Sequence, residues 1–192
     1  TSSTPGEGKS TSALGLAIVL ARLGHRTLLI DGDMRSPSVH EELELSNKKG
    51  LSNYLSGQES LEGLLQETAT QEGLIIMPAG PPPPNPAELF SGKGLKRLLA
   101  EAGQNFDYVI FDGPPVLGLA DAPLISSSAE ATIFVVEARS TKMRTAERAV
   151  RRLQATQAFV IGTVLTKFDP RYASSNYGEY YGYGYGQNKA EA

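Results

Sequence analysis

The 192-residue chain is 40% hydrophobic and 20% charged, the composition of one globular domain with a substantial buried core. Its net charge of −3 and pI near 5.5 supply no global basic field, so nucleic acid is not an expected partner. It has no cysteine, which excludes disulfides and thiolate chemistry and fits a reducing cytosol, and its apolar runs are strand-sized, too short to span a bilayer.

Residues 3–10, S-T-P-G-E-G-K-S, match the phosphate-loop pattern G-x-x-x-x-G-K-[ST] except that Ser3 stands at the first glycine position. Such a loop turns successive backbone N–H groups toward phosphate oxygens. Pro5, Gly6, Glu7, Gly8, Lys9, Ser10 and Thr11 are therefore the expected nucleotide-binding residues, with Lys9 at the β- and γ-phosphates and Ser10 on Mg²⁺. A helix over residues 10–22, stopped by Gly24, supplies the context that the motif requires. A phosphate loop also follows a buried central strand. Residue 1 stands almost at the loop, so that strand is expected to be missing from the sheet's centre.

Strands are expected at residues 27–30, 74–77, 108–111, 132–136 and 159–165, near-continuous apolar runs suited to burial on both faces. Alternating with helical stretches, they predict a mostly parallel α/β sheet covered by helices on both sides. The first strand runs into Asp31-Gly32-Asp33-Met34-Arg35 and the third into Asp112-Gly113-Pro114-Pro115. Both place carboxylates at strand carboxyl ends, where open α/β sheets bind ligands. One such Asp could be an ordinary turn or helix cap. Three of them in chain order with Gly8-Lys9-Ser10 point to Mg²⁺ beside a nucleotide, because clustered carboxylates need an intervening cation. Asp33 and Asp112 are the expected metal residues with Ser10, and Asp31 the expected base toward an attacking hydroxyl.

Gly80-Pro81-Pro82-Pro83-Pro84 reads as a stiff connector, followed by Asn85-Pro86-Ala87-Glu88, which opens a helix with Asn85 as its N-cap. Met143, Ala146, Ala149, Val150 and Leu153 recur at helical spacing and leave Lys142, Arg144, Arg148, Arg151 and Arg152 mostly outward. That basic face is solvated or docks an acidic neighbour.

Residues 172–186 read Y-A-S-S-N-Y-G-E-Y-Y-G-Y-G-Y-G, with six of the chain's eight tyrosines within fourteen positions: Tyr172, Tyr177, Tyr180, Tyr181, Tyr183 and Tyr185. Glycines interrupt every short tyrosine run and argue against a strand. A flexible segment over residues 171–192 is expected after a folded domain over residues 1–170.

On S-T-P-G-E-G-K-S-T, L-L-I-D-G-D-M-R-S-P, P-P-P-N-P-A-E-L-F, V-I-F-D-G-P-P and the tyrosine cluster, the chain resembles a bacterial tyrosine kinase of the P-loop type, a BY-kinase. The resemblance implies a SIMIBI-like (MinD-like) ATPase fold. It also implies ATP and Mg²⁺ as cofactors, catalytic roles for Lys9, Asp31 and Asp33, and autophosphorylation of the terminal tyrosines in neighbouring subunits of a ring-shaped homo-oligomer. It further implies protein tyrosine substrates, a membrane-spanning activator, fused or separate, a cytoplasmic place at the inner face of the membrane, and control of capsule or exopolysaccharide export. A Min- or Par-type ATPase switch resembles the same fold, but it carries an early lysine in its phosphate loop where this chain has Thr4. A nucleotide-binding module without phosphotransfer is the third reading.

Overall fold

A computed structural model describes residues 1–69 and 71–172. The tyrosine-rich end expected to be flexible, apart from Tyr172, lies outside the described residues. In chain order the elements are α1 (Lys9–Arg22), β1 (Thr27–Asp31), α2 (Val39–Glu42), α3 (Leu51–Leu55), β2 (Gln66–Glu67) and β3 (Leu74–Met77). There follow α4 (Pro86–Ser91), α5 (Lys93–Asn105), β4 (Tyr108–Asp112), α6 (Asp121–Ser128), β5 (Thr132–Glu137), α7 (Met143–Gln154) and β6 (Val160–Thr166).

The four-stranded sheet has the order β2-β3-β1-β4, and β5 pairs with β6 in a second, two-stranded sheet. Every pairing is parallel except the short antiparallel β2–β3 contact. This is the expected mostly parallel α/β class, and β1 shows why its sequence reads T-L-L-I-D. Leu28 and Ile30 enter a core with residues of α3, α5 and α6, whereas Leu29 packs against α1 on the opposite face. All five β1 residues are buried.

Strands β4 and β5 do not pair with each other. Residues 1–3 run between their carboxyl ends: the Thr1 hydroxyl donates to the Pro114 carbonyl at 2.6 Å, Val116 N–H to the Ser2 carbonyl at 2.9 Å, and Val135 N–H to the Thr1 carbonyl at 2.8 Å. The sheet is therefore interrupted between β4 and β5.

Two expectations need correction. Strand β6 is not buried on both faces: Ile161 is 55% exposed and Leu165 53%. Among the described residues β6 pairs only with β5, and the core cluster beside them draws on Ala122 of α6 and on Ala149 and Leu153 of α7, so the other edge of β6 is unpaired. Asn85 does occupy the position before α4, but its side chain makes no cap bond to the helix backbone and instead donates to the Glu88 carboxylate at 3.3 Å.

Gly50 and Gly80 let two chain segments cross where β3 ends. Leu51 N–H donates to the Pro78 carbonyl at 2.8 Å and Ser52 N–H to that of Ala79 at 2.9 Å. A Cβ on Gly50 would stand 2.1 Å from the Pro78 oxygen, and both partners there are backbone. Gly50→Ala is therefore expected to destabilise the protein by about 3 kcal/mol, the upper part of the usual overpacking range. Urea denaturation reads this directly, and a loss below about 1 kcal/mol would mean that the crossing yields.

Candidate active site

The phosphate loop obtains its shape from two glycines in the left-handed region, Gly6 at φ 82° and Gly8 at φ 89°. Gly8 is the residue before α1, so the loop's amides sit at the helix's positive end. A Cβ at Gly8 would also press on Thr166 at 3.2 Å, so both backbone angle and space demand glycine.

Glu7 is buried, and its carboxylate braces the loop from within. One oxygen accepts from Thr4 N–H at 2.8 Å, and the other accepts from the Thr141 hydroxyl. Its carbonyl accepts from Thr166 Oγ1 at 2.7 Å, and Lys167 Nζ donates to the Gly6 carbonyl at 2.9 Å while pairing with Glu137 at 3.0 Å. The ends of β5 and β6 thus hold the loop in place. Pro5, Gly6 and Thr11 remain exposed, and Lys9 and Ser10 are half-buried. Ser3, at the anomalous first position of the motif, is buried with its hydroxyl unpartnered.

Strands β1 and β4 are in register so that Asp31 lies beside Asp112, and Gly32 N–H donates to the Asp112 carbonyl at 3.0 Å. Burial, with the neighbouring Asp112 charge, pushes the Asp31 carboxyl up to about 7 from its ordinary 3.8. Backbone N–H groups of Val39, Asp33 and Ser38 bond its oxygens at 3.1 Å and oppose that rise, but burial and like charge win. Burial also raises Asp112, against the pull of the Ser10 hydroxyl and the Lys9 charge. The Ser38 hydroxyl donates to that of Ser10 at 3.2 Å, linking the turn after β1 to the phosphate loop.

Asp33 sits in a tight turn, where its Oδ1 accepts from Arg35 N–H at 3.3 Å and Ser36 N–H at 3.1 Å. Arg35 then reaches across to the start of α6 and grips buried Asp121 with two bonds, at 2.7 and 3.3 Å. The structure therefore gathers Lys9, Ser10, Asp31, Asp33 and Asp112 around one point at the carboxyl ends of β1 and β4. The mechanical partners Thr141, Thr166, Lys167, Arg35 and Asp121 escaped the sequence reading. Only Arg35 was named there, within Asp31-Gly32-Asp33-Met34-Arg35 after a strand.

The cluster suits Mg²⁺. Asp112 Oδ1 is buried with no hydrogen-bond partner among the described residues, and burial raises both neighbouring carboxyls, Asp31 and Asp112. Among the described residues no three His, Cys, Asp or Glu side chains form a ready-made metal cage. Mg²⁺ needs none, since it keeps several waters and uses one or two carboxylates with substrate phosphates.

Residues 3–160 match the AAA domain family. The chain is 40% identical over 165 residues to tyrosine-protein kinase YwqD of Bacillus subtilis (strain 168), covering 86% of this chain and 69% of that protein. To tyrosine-protein kinase CpsD of Streptococcus agalactiae it is 35% identical over 185 residues, covering 96% and 80%. Among solved structures, the kinase domain of Escherichia coli tyrosine kinase ETK superposes with a TM-score of 0.86 at 30% identity, over 96% of this chain and 70% of that one.

Proposed function

The chain belongs to the bacterial P-loop tyrosine kinases, and from that premise we propose that it transfers the γ-phosphate of ATP to tyrosines of its own C-terminal cluster. One observation carries the site-level reading: buried Asp31 and Asp112 converge with Lys9 and Ser10 at the carboxyl ends of adjacent parallel strands. The relatives' kinase names favour this over an ATPase switch, and Thr4 stands where the switch would carry its lysine.

A tyrosine hydroxyl, with a pKa of about 10, is a weak nucleophile near neutral pH. Asp31, near 7, is matched to accept its proton as the phosphorus–oxygen bond forms. Lys9 and the loop N–H groups of residues 6–11 bind and orient the phosphates, and Ser10, Asp33 and Asp112 would hold Mg²⁺. When bound, that ion neutralises charge on the transferring phosphoryl group. Arg35, anchored on Asp121, holds the Asp33 turn in place.

The substrate tyrosines are Tyr172, Tyr177, Tyr180, Tyr181, Tyr183 and Tyr185, presented in trans within a homo-oligomeric ring. The kinase works in the cytoplasm at the inner face of the membrane, beside a membrane-spanning activator, and regulates capsule or exopolysaccharide export. Among the described residues no helix is long and apolar enough to cross a membrane.

Incubation with Mg²⁺ and ATP, followed by mass mapping, is expected to place phosphate on residues 172–185. Mixing Lys9→Met protein bearing an intact tail with active protein truncated after Tyr172 is expected to label the Lys9→Met chain. No phosphotyrosine in the first experiment sinks the tail as substrate, and an unlabelled Lys9→Met chain sinks transfer in trans.

A further inference from the structure

The arginine-rich face of α7 takes no part in the site described above. A cavity of about 500 Å³ opens between this helix and the β5–β6 sheet, walled by Phe134, Val136, Val150 and Leu165, with Met143 and Arg151 also lining it. Its volume falls within the range of about 300–1,000 Å³ typical of small-ligand pockets, and it is mostly apolar. Met143 is 74% exposed and Leu165 53%, so the recess is open to solvent.

Helical spacing arranges three stripes on α7. Ala149 and Leu153 face the core, Met143, Glu147, Val150 and Gln154 face the cavity, and Arg144, Arg148 and Arg151 run along the next flank. Among the described residues none of these three arginines is held in a salt bridge. Glu147 is the carboxylate that opposes them in the recess.

We propose that this cleft is a docking site for the phosphorylated tyrosine-glycine segment of residues 173–186, its rings entering the apolar recess and its phosphates meeting Arg144, Arg148 and Arg151. The proposal rests on the reading that this segment becomes phosphorylated. Twenty residues follow Tyr172, enough to span roughly 66–72 Å when extended. They leave the described fold just after β6, whose Thr163 and Leu165 form one wall of the cleft. Each phosphate adds roughly −1.5 to −2 charges, which clustered arginines recognise through charge-assisted bonds. The carboxylate-lined catalytic cluster repels the same product, so α7 offers it a place once it leaves. An anionic membrane also attracts basic amphipathic helices, but those lay a convex apolar face on the lipid, whereas these apolar groups line a recess.

The test uses a fluorescent peptide of residues 176–186, synthesised with phosphate on Tyr183 and Tyr185 or with none, titrated into the whole protein and read by anisotropy. The phosphorylated form is expected to bind at least tenfold more tightly. Arg148→Ala/Arg151→Ala should weaken it at least tenfold with the melting temperature and ATP affinity unchanged, and Glu147→Gln should tighten it severalfold. Equal affinity for both peptides, or phosphopeptide binding indifferent to the arginine change, overturns the proposal. So does phosphopeptide-independent self-association through this face, or co-sedimentation with phosphatidylserine vesicles in place of peptide binding. Because the phosphates are synthetic, failure of the kinase reading shows in the ATP labelling experiment and not in this one.

Discussion

Lys9→Met is expected to lower tyrosine phosphorylation by about 10²–10³-fold, the cost of removing one preorganised charge from a transferring group. The fold should survive. Lys9 is half-buried, and among the described residues its side chain takes part in no hydrogen bond or salt bridge, so stability should stay within about 0.5 kcal/mol of wild type. The loop's shape comes instead from Gly6, Gly8 and the Glu7 brace, none of which the change touches. Isotope transfer from ATP to the tail, alongside a thermal melt, separates the two effects. Activity within fivefold of wild type would mean that the phosphates lie elsewhere.

The contrast between Lys9 and Glu7 shows how much of the site was legible in the sequence. Lys9 and Ser10 belong to a contiguous motif, and Asp31 and Asp112 mark the ends of apolar strands, so residue type and order were sufficient to find them. Glu7 was read as part of the nucleotide cradle, yet its side chain turns inward to Thr4 and Thr141. That role depends on a residue 134 positions away, and no local pattern encodes such a contact.

The same limit explains Lys167 on the Gly6 carbonyl and Arg35 on Asp121, both formed only when distant strand ends meet. Strand positions were readable because buried parallel strands are continuously apolar. For β6 that rule misled: Val160–Thr166 is just as apolar, but it lies at a sheet edge with no described neighbour beyond it. Composition reports that a surface wants covering, not whether something covers it.

The second large effect concerns Asp31 and has two readouts, of which the first is stability. Its carboxyl sits near 7 in the folded protein against an ordinary 3.8, so the native state holds this proton more tightly than the unfolded chain. The resulting stabilisation is full below about pH 3.8 and is lost as pH rises through about 7. At 1.36 kcal/mol per pH unit this is on the order of 4 kcal/mol as an upper bound, since Asp112 shares the proton balance. In Asp31→Asn the decline between pH 4 and 7 without Mg²⁺ or nucleotide should flatten by about 2 kcal/mol or more. Absolute stability is a poor gauge, because an amide turned toward the Ser38 and Val39 N–H groups loses acceptors. An unchanged slope in urea melts would show Asp31 to be ionised in the free protein.

The second readout is turnover. If Asp31 takes the tyrosine proton, wild-type kcat/KM rises with pH through a limb at or below about 7, lower when Mg²⁺ saturates the site. Asp31→Asn should lose that limb and about 10²–10⁴ in kcat, with the Mg²⁺ requirement little changed. Asp33→Asn should instead raise the Mg²⁺ concentration needed for half-maximal rate. The reverse pattern would exchange the two roles.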